Sequence, residues 1–146
     1  MCIRDRAYLY RRWLIVNAGD ASEQSQRMWE AYLELCPEDV EAHVAYGWLM
    51  FDLYGIDEAS ECFRKALKIV DDPLSVLIAL GALARRAGDY DAAAKYFTEA
   101  SERDPRNIDL LYYLAGVQRE AGFEHAARET ESSIDELVNG GWRGPA

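Results

Sequence analysis

Residues Leu74–Pro105, LSVLIALGALARRAGDYDAAAKYFTEASERDP, decide the fold. Leu77, Leu80, Gly81 and Ala84 recur at the three- and four-residue spacing of one helix face. Ala93, Phe97 and Ala100 do the same further on. Two helices, 74–87 and 90–103, are therefore predicted, joined by Gly88-Asp89. Gly88 can take the left-handed conformation that ends the first helix, and Asp89 can cap the second. Pro105 has no backbone donor, so the second helix stops before it. Small residues at a crossing let two backbones approach, and larger ones fill the space around them. Gly81 and Ala93 are the predicted crossing, with Leu80 and Phe97 as the filling.

This order of large, small, aromatic and proline positions resembles the tetratricopeptide repeat, a helix pair with a 34-residue period. The resemblance extends in both directions. From Val40 to Asp72, Tyr46-Gly47, Met50, Ala59, Phe63 and Ala66 fill the same places, with a turn at Tyr54-Gly55. There Asp72 is expected to cap the next helix, with Pro73 in its first turn. Before Val40, Trp29, Leu33 and Pro37 match the aromatic, leucine and proline places, but Trp13 stands where a small residue is expected and Ser25 where alanine is. Asp20 and Glu23 have the spacing of a capping box. After Pro105, Asn107 is a predicted cap for 108–121, and Gly122 ends that helix. A last helix, 125–138, carries Thr130 or Glu131 in the aromatic place, as suits a polar terminal helix with nothing packed over it. The resemblance implies an all-α, right-handed solenoid of about four antiparallel helix pairs. The expected repeats are 7–39, 40–73, 74–107 and 108–139, followed by a flexible tail at 140–146.

The N-terminus stands apart. Met1-Cys2-Ile3-Arg4-Asp5 back-translates readily to the end of a transposase adaptor used in sequencing libraries. Residues 1–6 are accordingly expected to be a non-native or truncated scar, with the natural start upstream.

Half of the 146 residues are apolar, enough for a real core, and the formal net charge is −10. That charge disfavours nucleic acid or an anionic membrane as partner, since both need a basic surface. The longest apolar run, Leu74–Ala84, is too short to span a bilayer. Cys2, Cys36 and Cys62 lack C-x-x-C spacing and fit reduced thiols in a cytoplasmic protein. His43 and His125 have no metal-ligating neighbours at suitable spacing. There is no phosphate loop and no nucleophile elbow. No catalytic residue, metal site or cofactor is expected, and the chain is read as a non-enzyme.

In the family the first helices of successive repeats line a concave face. Positions one period apart give the rows Val44, Ile78, Tyr112; Trp48, Ala82, Gly116; and Phe51, Arg85, Arg119. The candidate groove residues are Val44, Trp48, Phe51, Ile78, Arg85, Tyr112, Tyr113 and Arg119. Arg85 and Arg119 are candidates for gripping a carboxylate. The alternative is that these arginines are merely solvated and that Trp48 belongs to the core between repeats. Some family members hold an acidic C-terminus with a fixed Lys/Asn/Lys/Arg set; Ser75, Ala79, Asp109 and Tyr113 stand in such places here, so that clamp is absent. The implied function is a scaffold that binds a partner peptide in the groove. The alternatives are a secretion or assembly chaperone for an apolar client, or the interaction domain of a larger, truncated protein. The oligomeric state is left open.

Overall fold

Every turn between helices in this chain is short, and most are closed by a residue with a clear reason to be there. The computed structural model describes residues 3–140, and among them eight helices and no strand: α1 Ile3–Val16, α2 Glu23–Leu35, α3 Val40–Tyr54, α4 Ile56–Ile69, α5 Leu74–Arg86, α6 Tyr90–Arg103, α7 Ile108–Glu120 and α8 Glu124–Asn139. The expectation of a flexible tail falls, beyond Gly140, outside the described residues. So do Met1 and Cys2. α1 begins at Ile3, ahead of the expected start at Ala7, because nothing between them breaks a helix. Its helicity is independent of the origin of residues 1–6.

Asp39, Asp89 and Asn107 each cap the following helix, accepting the amide of the residue three further on at 3.1 Å. Asp72 Oδ1 accepts the amide of Leu74 at 3.1 Å, which places Pro73 just before α5 and not inside it. At α2 the expected capping box is replaced. Ser22 is the cap, accepting the amide of Ser25 at 3.2 Å, and Asp20 Oδ2 accepts the hydroxyls of Ser22 and Ser25. Gly88, at φ +77°, ends α5 as expected, and its amide donates to the Arg85 carbonyl at 3.0 Å. Gly55, at φ +107°, is at once the last cap of α3 and the first of α4, which only glycine accepts without strain.

The chain divides into two compact units, one up to Val76 and one from Leu77, with the division inside α5. In the first, α1 packs on α2, α2 on α3 and α3 on α4. Leu14, Tyr32 and Ala42 form a buried cluster there, with Trp13, Met28 and Trp29 against it. Ala59, Phe63 and Ala66 of α4 are fully buried. A Cβ built on Gly47 would lie 2.2 Å from Phe63 Cε1, so the ring rests directly on the glycine. The second unit repeats the device. A Cβ on Gly81 would lie 2.8 Å from Phe97 Cε1, and Ala93 and Ala100 flank the ring, fully buried. α6 then packs on α7 and α7 on α8. In α8, Ala127, Thr130 and Ile134 are the buried residues. Of the two candidates for the aromatic place, Thr130 therefore points inward, its hydroxyl 2.7 Å from Gln118 Oε1 and 3.0 Å from the Ala126 carbonyl. Among the described residues no helix is long and apolar enough to cross a membrane.

Candidate peptide-binding face

α7 is the helix on which the groove residues are most clearly displayed. Its inner side is a complete core stripe of Leu110, Leu111, Leu114, Ala115 and Val117. That leaves Tyr112, Tyr113, Gly116, Arg119 and Glu120 at the i, i+1, i+4, i+7 and i+8 positions of the opposite side. Tyr112 is 59% exposed and Tyr113 is 52% exposed. Both are far more open than their neighbours in the core. The Tyr113 ring is not loose, however. It stacks on Phe97, with centroids 6.1 Å apart and planes at 22°, so the ring that fills the Gly81 crossing also supports the exposed tyrosine.

On α5 the matching register positions are Ile78 and Ala82, half-buried, and Arg85, exposed. The two helices are tied where Arg85 Nη2 donates to Glu120 Oε1 at 2.8 Å. That hydrogen bond raises the Arg85 pKa above its ordinary value. Arg119 is held more tightly. Its Nε and Nη2 donate to the two carboxylate oxygens of Glu131 at 2.8 and 2.7 Å, and Glu124 lies 3.4 Å from Nη1. The bond to Glu131, and then its charge, raise the Arg119 pKa. Three of the chain's own carboxylates therefore surround the two arginines. The rows one period apart gave no sign of Glu131. The i+12 spacing is invisible until α8 folds back on α7.

In the first compact unit the candidates lie on α3. Val44, Trp48 and Phe51 are all half-buried. Trp48 is set edge-on against Phe51 at 5.8 Å and against Phe63 at 5.5 Å. It thus shares the core of the α3–α4 pair and still presents a face outward. Tyr46 was read only as a core filler. Its hydroxyl donates to Glu30 at 2.9 Å, and burial first, then that bond, push its pKa up. Among the described residues no group of three His, Cys, Asp or Glu is placed to hold a metal ion.

Residues 84–134 match the family model described as tetratricopeptide repeat. No curated protein matches the chain. Among solved structures, a crystal structure of MamA protein is 12% identical with a TM-score of 0.74, over 99% of this chain and 78% of that one. A MamA fragment from Desulfovibrio magneticus RS-1 is 19% identical with a TM-score of 0.73, over 91% and 76%. A MamA RS-1 double mutant is 18% identical with a TM-score of 0.73, over 91% and 75%. At these identities the likeness establishes the fold: helix pairs of the tetratricopeptide α-solenoid class.

Proposed function

We propose that this chain of tetratricopeptide repeats is a protein-interaction scaffold that holds a partner peptide in the groove lined by the exposed side chains of α5 and α7. The observation that carries the reading is the pair Tyr112 and Tyr113, more than half exposed on a helix whose other side already supplies a full core. Large apolar groups left open in this way mark binding surfaces on soluble proteins, and tyrosine is among the residues that anchor interfaces. Because Tyr113 is braced on Phe97, little conformational freedom remains to be lost when a ligand covers it.

In this reading Tyr112 and Tyr113 anchor the peptide, with Ile78 alongside. Arg85 and Arg119 form the rim, and a ligand carboxylate exchanges with Glu120 or Glu131. Exposed ion pairs are worth little in water, so the exchange costs little. Val44, Trp48 and Phe51 on α3 are proposed as a separate contact patch within the first compact unit. The role is binding without catalysis, in the cytoplasm.

The test is a peptide selected from a displayed library on the intact chain, followed by titration of variants. Tyr112→Ala is expected to weaken binding by at least about 1 kcal/mol while leaving the melting temperature nearly unchanged. Arg119→Ala is expected to weaken it more at low salt than at high. A Tyr112→Ala chain that binds normally but melts much earlier would assign Tyr112 to the core and overturn the proposal.

A further inference from the structure

The first repeat departs from the others where a glycine is expected, and a pocket lies beside its second tryptophan. In the second and third repeats the aromatic ring of the second helix rests on a glycine of the first, Phe63 on Gly47 and Phe97 on Gly81. One period earlier the glycine place holds Trp13 and the aromatic place holds Trp29. Two indoles cannot share a space that elsewhere admits a benzyl ring and no Cβ. Trp13 and Trp29 are both partly buried against the cluster of Leu14, Tyr32 and Ala42. Trp29, set edge-on to Tyr32 at 6.3 Å, lines the crevice between the end of α1 and α3.

That crevice holds a pocket of about 290 Å3 lined by Trp29 and Trp48 together with Asp20, Asp52 and Asn17. Its size is at the small end of ligand pockets, suited to a compact group and not to a length of peptide. Every electrostatic feature has the same sign. Asp20 and Asp52 carry negative charge, and of the residues that line the pocket none is basic. The C-terminal end of α1, at Val16, adds the negative pole of a helix dipole. The indole faces are electron-rich, and tryptophan is the best aromatic partner for a cation. The walls are also fixed in advance. Trp48 is held edge-on by Phe51 and Phe63. Asp20 Oδ2 accepts the hydroxyls of Ser22 and Ser25, and neither of those bonds uses its Oδ1.

We infer that this pocket binds an organic cation, an alkylated ammonium group seated between Trp29 and Trp48 and neutralised by Asp20 and Asp52. The group can arrive as a free quaternary ammonium compound or at the end of a lysine side chain. The site is independent of the tyrosine face on α7, so either can fail without the other.

The test follows the indole Nε1–H signals of Trp29 and Trp48 by NMR while the intact chain is titrated with choline, with N-acetyl-trimethyllysine amide, and with 3,3-dimethylbutanol, the neutral isostere of choline. Both indole signals are expected to shift with the two cations and not with the alcohol. Tighter binding of the lysine derivative than of choline would assign the natural group to a protein side chain, and the reverse order to a free compound. Asp52→Asn, an exposed α3 position that leaves the fold intact, is expected to weaken cation binding about fivefold, as loss of one exposed charge contact does. Equal shifts with the alcohol would reduce the site to an apolar crevice and overturn the inference, as would no shift with either cation.

Discussion

Gly47 and Gly81 matter to the fold for what they lack, because each is where an aromatic ring touches a helix backbone. Gly81→Leu should destabilise the chain by more than ~2 kcal/mol in urea titration, since the ring must leave or the helices must part. A change near zero would mean that the ring yields freely and that the crossing is not tight. This contact was legible in the sequence: a small residue on one helix and an aromatic on the next, spaced alike in two repeats, admit few other readings. Tyr32 was not legible. It is 4% exposed, and its hydroxyl donates to Asp39 Oδ2 at 2.6 Å while Asp39 Oδ1 caps α3. A tyrosine on one helix and a capping residue before the next gave no hint that they share a carboxylate. Burial first, and then Asp39, push the Tyr32 pKa above its ordinary value. The neutral hydroxyl is the form that the fold favours. Its contribution is therefore complete below the unfolded tyrosine pKa of about 10 and is lost as pH rises through the folded value. Wild-type stability should fall in that alkaline range, and Tyr32→Phe, which has no proton to lose, should fall less steeply. Parallel curves would show that other groups set the alkaline limit.

Among the elements, the helix starts divide into those that the sequence made plain and those that it did not. Asp89 and Asn107 were legible because each stands alone before an apolar-periodic run. Before α2 there are two residues of capping type, Asp20 and Ser22, with Ser25 following in the first turn, and the box spacing of Asp20 with Glu23 drew attention to the wrong one. Ser22 takes the role because Asp20 is used twice as an acceptor of serine hydroxyls, one of them from Ser25, which is 2% exposed. Ser22→Ala should cost about 1 kcal/mol, the usual loss for a cap. Asp20→Ala should cost a similar amount, but by leaving the buried Ser25 hydroxyl without its acceptor. If the double variant loses no more than either single one, the three residues act as one network; a simple sum would make the cap and the buried bond independent. The rim of the proposed binding face is an element-scale feature too. The arginines were legible as a row one period apart. Their partners were not, because Glu131 reaches Arg119 only through the packing of α8 on α7.

At the scale of the whole molecule, the helices that pack most closely within each compact unit are neighbours in sequence: α1 with α2, α2 with α3, α3 with α4, α6 with α7 and α7 with α8. The ties that skip a helix, such as Arg85 of α5 to Glu120 of α7, reach only to the next but one. A chain built in this way is close to one-dimensional. Its stability is roughly a sum of repeat terms and nearest-neighbour terms, so damage stays near where it is done. This is why a 34-residue period was enough to read the architecture, and why the ligand was not readable. The period fixes the positions that bury against a neighbour, whereas the exposed positions are free of it. The locality has a direct consequence for hydrogen exchange. Tyr32→Phe removes one bond between α2 and the start of α3, worth about 1 kcal/mol. Amides of α2 and the first turns of α3 should then exchange about fivefold faster, while those of α7 and α8 keep their wild-type rates. An equal acceleration in all eight helices would show that the chain opens only as a whole. Its repeats would then be a pattern in the sequence and in the fold, but not in the energetics.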